Sequence, residues 1–284
     1  MSQHSATSSD IEVFDAWLKH RGISADDAQV QRCAFFVETP EISLDDFRSL
    51  WENKEQISWL GGPAPIAEQW PTNADGQPLT HIGSFAVHQI LGKVPESERD
   101  TLSTSLILLP EHGYFSFFHD LEAYGGAEDS PESWRCIYVP TDPGDTELVT
   151  GPDAERFAAG KLVVGFSIAP AQDYQGDNWQ AYEDATQDYL LQWGKLRASA
   201  STHPIPLTGL SAHSFISNDT VAEEYLSEVL PLGEHDFYVL FAQFESWTTL
   251  NGLFGDASPL EFWIRFSDLV MGNYHKVWAV IRTD

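Results

Sequence analysis

Basic residues are scarce in this sequence. Fifteen Lys and Arg stand against 43 Asp and Glu, a formal charge of −28 over 284 residues. Duplex nucleic acid binds by exchanging its counterions for Lys and Arg, so the shortage argues against a nucleic-acid partner. It disfavours an anionic membrane surface for the same reason. No apolar run reaches the roughly eighteen residues that a membrane-crossing helix needs. The opening Met1-Ser2-Gln3-His4-Ser5 has no basic stretch leading into an apolar one. No secretory signal is therefore expected, and the location read from the sequence is cytoplasmic. Cysteine is almost missing too. Cys33 and Cys136 form no spacing motif, and a lone pair in a chain of this size reads as two reduced, buried thiols.

Catalytic signatures are missing as well. The sequence has no Gly-x-Ser-x-Gly elbow, no phosphate-loop lysine motif and no dinucleotide fingerprint. Gly61-Gly62 lacks the following basic residue and helix that would cradle a phosphate. His81, His88, His119, His203 and His213 lie far from the close spacing of metal-binding helices and knuckles, so no metal and no cofactor is expected. His119 and Asp120 are adjacent on a strand and point to opposite faces, which rules them out as a dyad without a bend.

What is present is apolar and aromatic. Hydrophobic residues make up 42% of the chain and aromatic residues 13%, enough for a sizeable core without disulfides or metals. Residues 1–8 read as a frayed polar tail. A capping box at Ser9 opens a helix with Ile11, Phe14 and Leu18 on one face, and Gly22 stops it. Ser43 caps a second helix whose inner face is Leu44, Phe47, Leu50 and Trp51. The two glycines and two prolines of Trp59–Pro65 predict a hook and no regular element. Short aromatic or β-branched runs predict strands at 34–37, 78–85, 114–120, 135–139, 161–168, 237–244, 260–266 and 277–282. Helical spacing of Trp179, Tyr182, Thr186, Tyr189, Leu190, Trp193 and Leu196 makes the best-marked helix of the sequence, and another covers 220–230.

The order of these segments repeats. A hook and three strands occupy the first half. The second half offers Leu207-Thr208-Gly209-Leu210 in the hook position and again three strands. The expected fold is α+β, built from two related antiparallel β units near 59–140 and 203–284, an internal duplication packed with several helices into a single domain spanning 1–284.

Gly61-Gly62-Pro63 with Trp70-Pro71 and Pro78-Leu79 resembles the opening hook of the YwqG-like bacterial family. Gln243-Phe244-Glu245-Ser246, Phe254-Gly255-Asp256, Leu260-Glu261-Phe262-Trp263-Ile264, Asp268-Leu269 and Val277-Trp278 resemble its later segments. The likeness spans roughly 59–282 and rests on the order of the motifs. Glu245 and Phe254 depart from the Asp and Trp usual there. In the first half, Ile82-Gly83-Ser84-Phe85 stands where a Gln and an acid are common. The family brings no established activity. The resemblance implies a link to partners or immunity proteins of secreted bacterial toxins.

Gln243, Glu245, Asp256, Trp263 and Arg265 are the candidate ligand-binding residues. Glu245 with Asp256 is the best carboxylate pair for acid–base work in a polar cleft between the halves. The same residues also read as structural, with Asp256 satisfying a turn and Glu245 paired across strands to Arg265, and this reading is the more common one. Between Asp120 and Tyr189, fifteen carboxylates face only Arg135, Arg156 and Lys161. That charge reads first as solubility and second as attraction for a basic protein or a cation. Asp184 and Asp188, four apart on the predicted helix, are the candidate partner-binding residues. The leading functional reading is a non-enzymatic protein-binding or immunity-type module. The rival is a hydrolase-like enzyme or a ligand-sensing module using carboxylates in the cleft.

Overall fold

The computed structural model describes residues 16, 18–20, 23, 28–39, 41–66, 69–91, 108–152, 154–170, 203–214, 220–245 and 259–281. The polar tail, the capping box at Ser9, the helix expected over 179–196 and the residues Asp184, Asp188 and Asp256 lie outside them. Strands dominate. They are β1 (Ala28–Glu38), β2 (Ser58–Gly61), β3 (Ala64–Pro65), β4 (Thr80–Ala86), β5 (Tyr114–His119) and β6 (Trp134–Val139). After these come β7 (Leu148–Val149), β8 (Phe157–Pro170), β9 (His203–Ser214), β10 (Tyr238–Phe244), β11 (Leu260–Arg265) and β12 (Trp278–Ile281). The helices are α1 (Leu44–Glu52), α2 (His88–Leu91), α3 (Thr220–Val229) and α4 (Phe266–Val270). Antiparallel sheets carrying helices make this a mixed α+β architecture.

Ten strands form one sheet in the order β12-β11-β10-β9-β1-β8-β2-β4-β5-β6, and β3 pairs with β7 in a small second sheet. The long strand β1 sits in the middle. Its residues pair with β8 along 28–38 against 160–170, and its other edge pairs with β9. On either side of this centre lies an antiparallel three-stranded meander, β4-β5-β6 on one flank and β10-β11-β12 on the other.

The sheet is not flat. β4 and β10 are five strands apart, which in a flat sheet is about 24 Å. Yet the Phe85 and Phe244 rings stack with centroids 5.3 Å apart and planes 6° apart. Phe117 lies 4.9 Å from Phe262 and Phe115 lies 5.0 Å from Phe241. The two meanders therefore fold over onto each other and enclose the main core, which these buried rings share with Leu60, Ile82, Ile264 and Ala279.

The outer face of the first meander is covered by α1. Ser43 caps that helix, as expected, and the structure adds a full capping box: Ser43 accepts from the Asp46 N–H while Asp46 reaches back to the Ser43 N–H. Phe47 and Trp51 are buried beneath it against Trp59 and Tyr114. Each such ring contributes roughly 1.5–3 kcal/mol by leaving water.

Two sequence expectations are corrected here. Ser58–Gly61 is a fully buried strand, and the hook is confined to the turn that follows. Burial on both faces removes the alternation by which a strand is recognised. Gly61 and Gly62 hold φ of 61° and 65°, and the Gly62 N–H donates to the Arg156 carbonyl at 2.8 Å. Leu207–Leu210 is no hook either, because it lies inside β9, paired through Gly209 and Leu210 to both β1 and β10.

The open ends of the sheet are tied by a latch. The Ile281 N–H donates to the Tyr124 carbonyl at 3.1 Å, the Trp278 indole to Gly125 O at 2.8 Å, and the Trp134 indole to Val277 O at 3.1 Å. Asp129 Oδ2 pins this loop by accepting from the N–H groups of Tyr124, Gly125 and Gly126 at 3.0, 2.7 and 3.0 Å.

Two outcomes are expected. A Cβ at Gly61 would stand 1.9 Å from the Arg156 carbonyl oxygen on a left-handed backbone. Gly61→Ala should therefore lower the unfolding free energy by about 2 kcal/mol or more in urea titration. A chain beginning at Ser58 loses β1 and leaves β8 and β9 unpaired at the sheet centre. It should show no cooperative melt by far-ultraviolet circular dichroism, and a sharp melt would show that the halves hold without β1.

Candidate functional site

The polar residues singled out in the sequence fall on β10 and β11. These strands are in register from Val239 opposite Ile264 to Phe244 opposite Leu260, with a one-residue bulge at Phe241. A bulge reverses the alternation of faces beyond it. Gln243 therefore does not share a face with Phe241 and Val239, as simple alternation predicts. Phe241 and Phe244 both turn into the core, and Gln243 stands opposite Glu261 on the other face. Glu261 is 5% exposed, and its Oε2 accepts from the Trp263 indole N–H at 3.0 Å. Glu261, which is not among the candidate residues of the sequence, thus lies opposite Gln243 and hydrogen-bonds Trp263 on the same face.

Glu245 and Arg265 do not meet. Arg265 is opposite Tyr238, at the far end of the hairpin from half-buried Glu245, a separation of about 20 Å along the strands. Arg265 instead grips Asp268, with Nε and Nη2 both 2.6 Å from Oδ2. Lys276 Nζ and Asn273 Nδ2 reach the other oxygen at 3.2 and 3.1 Å. Burial pushes the Asp268 carboxyl up, but the hydrogen bonds from Asn273, Arg265 and Lys276 outweigh it and hold the group below its ordinary value. Every oxygen of Asp268 is spoken for, so this cluster fastens α4 to the turn before β12.

The first meander carries the matching feature. β4 is bulged at Ile82, between His81 opposite Phe118 and Gly83 opposite Phe117. The bulge brings His81 and Ser84 to one face, and Ser84 stands opposite Ser116. His81 Nδ1 lies 3.1 Å from the Gly62 carbonyl, which can only accept, so this nitrogen carries the proton. Nε2 then accepts from the Ser84 hydroxyl at 2.9 Å, and Ser84 accepts from Ser116 at 2.8 Å. All three side chains are buried, and Trp59, Trp70 and Phe118 pack around the imidazole. A histidine against a serine hydroxyl has the parts of a nucleophile, but this Ser84 is 0% exposed. A substrate carbonyl has no approach to it.

His119 lies on the inner face of β5. Its ring stacks on Trp134 with centroids 6.0 Å apart and planes 15° apart, and Phe262 stands edge-on to it with centroids 6.4 Å apart. Burial holds His81 down to about 4 and His119 down to about 3. Among the described residues no group of three or more His, Cys, Asp or Glu could hold a metal ion. No helix among them is long and apolar enough to cross a membrane. Cys136 is a free, buried thiol whose ionisation burial pushes up. The side chain of Cys33 lies outside the described residues.

The two neutral histidines give a pH dependence of known sign. Both ionise near 6.5 when unfolded and far lower when folded, so the folded state takes up fewer protons. Their contribution is complete above about pH 6.5 and is lost as pH falls toward 4, by about 2 kcal/mol for each ring at pH 5. Urea denaturation at pH 7.5 and 5.0 should show this loss, and His81→Gln should remove part of it. A stability unchanged between the two pH values would contradict the burial of both rings.

No curated protein matches the chain. Residues 58–282 match the family described as Domain of unknown function (DUF1963), an interval that runs from β2 through β12. The match covers most of the sequence, and the chain therefore belongs to the DUF1963 family, the family associated with YwqG-like proteins.

Proposed function

We propose that this protein is a non-enzymatic binding module of the reducing cytoplasm whose partner is a basic protein, in the manner of an immunity-type protein. The observation that carries this reading is the excess of exposed acid over base in the stretch around β6. Glu122, Glu128, Glu132, Asp142, Asp145 and Glu147 are all exposed. Arg135 is the sole Lys or Arg between residues 111 and 155. Its Nη1 is committed to the carbonyls of Pro131 and Trp134 at 2.6 and 2.9 Å. Lys54, from outside the stretch, reaches Asp145 at 2.7 Å, and the other five of these acids are exposed. Asp184 and Asp188 continue the same acidic stretch in sequence. Such a field speeds encounter with a positive partner and repels acidic ones.

The rival reading is a hydrolase-like or ligand-sensing cleft between the halves. It is weakened by the dispersal of the candidate residues, since Arg265 lies at the far end of the hairpin from Glu245 and is committed to Asp268, and by the sealed position of the His81, Ser84 and Ser116 chain. What favours it is the relation of the halves. We infer that they arose by duplication, because the strand order is mirrored about β1 and β8 and because β4 and β10 are bulged at the same step against the next strand. Duplicated halves commonly leave a ligand site at their junction.

The test is charge reversal. Glu122→Lys, Glu128→Lys and Glu132→Lys together should leave the melting temperature of the protein close to that of the parent. They should weaken capture of a basic partner from native lysate by about tenfold or more. Capture by the parent should fall between about 0.05 M and 0.5 M salt as the screening length shrinks. A partner retained equally by the reversed protein and at high salt would dismiss the acidic face as the docking surface.

A further inference from the structure

The two buried histidines of the first meander are treated differently by the fold. His81 has a protein partner for each ring nitrogen. His119 is 0% exposed, and neither Nδ1 nor Nε2 has a hydrogen-bond partner among the described residues. A neutral imidazole offers one donor and one acceptor. Interiors pair such groups with protein or with a bound molecule, because leaving them bare forfeits their hydration without return.

Packing alone does not account for a histidine here. Counted from the two bulges, Phe117 corresponds to Phe262, Phe118 to Trp263, and His119 to Ile264. Ile264 is fully buried in the same core. The second meander fills this place with a hydrocarbon, and the first fills it with a ring bearing two polar atoms. Trp134, stacked on that ring, cannot serve it, because its own indole N–H is given to Val277 O. Phe262 offers only an aromatic edge.

We propose that His119 anchors an internal binding site between the two meanders for a small neutral hydroxylic molecule. One hydroxyl donates to the unprotonated ring nitrogen and a second, on the same guest or on a companion water, accepts from the ring N–H, while Trp134 and Phe262 supply apolar walls. Water satisfies this chemistry, and so does the hydroxyl of a small neutral metabolite. Burial keeps the imidazole uncharged through the physiological range, which suits a neutral guest and turns away a carboxylate that would need an imidazolium. The site is independent of the acidic surface and stands whether or not a basic partner exists.

A crystal structure of the full chain to about 1.8 Å tests this directly. The expected result is a compact peak about 2.7–3.2 Å from a His119 ring nitrogen. A protein group from residues 246–258 bonded to the ring, or no peak at all, overturns the proposal. His119→Ile, the residue of the corresponding position, and His119→Phe give a second reading. With a guest present, both remove its anchor, abolish the peak and lower the melting temperature by a few degrees. With the nitrogens bare, at least one of the two variants melts higher than the parent, and the proposal falls. Mass spectrometry of the denatured, purified protein separates the two sources. A small molecule at one per chain, absent from His119→Ile, identifies a metabolite. A peak that reforms after refolding in plain buffer, with nothing extracted, identifies water.

Discussion

The contact on which the rest of this structure depends is the packing of Phe85 and Phe117 against Phe241, Phe244 and Phe262. A ten-stranded sheet has two faces to bury and a single chain of 284 residues to do it with. Folding the sheet over solves this by letting one meander cover the other. Each ring gains by leaving water, and tilted or offset aromatic pairs add about 0.5–1.5 kcal/mol apiece. The bulges follow from the same demand. Without the extra residue at Phe241, either Phe241 or Phe244 would face outward, and the stack with Phe85 would be lost. The aromatic interior also sets the terms for every polar group inside it. A ring nitrogen there is either matched, as in His81, or it calls for a guest, as in His119.

The outside obeys a different rule. Most charged groups lie at the surface, and the buried carboxylate Asp268 is surrounded by Arg265, Lys276 and Asn273. The two buried histidines are neutral, while the buried carboxylates Asp268 and Glu261 are each held by hydrogen-bond donors.

Much of the architecture was legible from the residues. The strands β5, β6, β11 and β12 announce themselves because aromatic and β-branched residues crowd into short runs bounded by Gly, Pro or Asp. The start of α1 is written in Ser43 and Asp46. What the sequence hides is parity. A bulge is one residue long and leaves no compositional trace, so the faces of Gln243 and Ser84 could not be assigned by alternation. Register is hidden for the same reason, and this placed Glu245 opposite Arg265 when the true partner, Asp268, lay three residues on. That spacing was a readable signal. β2 escaped because both its faces are buried and its glycines suggested a turn. His119 was read as the end of a strand, since nothing local distinguishes a buried histidine from an exposed one.

The latch around Gly125 has a bearing on behaviour in a crowded solution. A sheet of this width should end in two rows of free amide and carbonyl groups, each a template for a strand from another molecule. Here the Tyr124 carbonyl already occupies the Ile281 amide on the rim of β12. The side chains of Trp134 and Trp278 knit that rim to the opposite one, and the Tyr274–Lys276 turn packs Tyr274 against Tyr138 of β6. A newcomer would have to pull away the loop that Asp129 pins before it reached the Ile281 amide. Together with mutual repulsion among chains of charge −28, this makes edge-to-edge fibre growth an unfavourable path for a protein otherwise rich in β-forming aromatic segments.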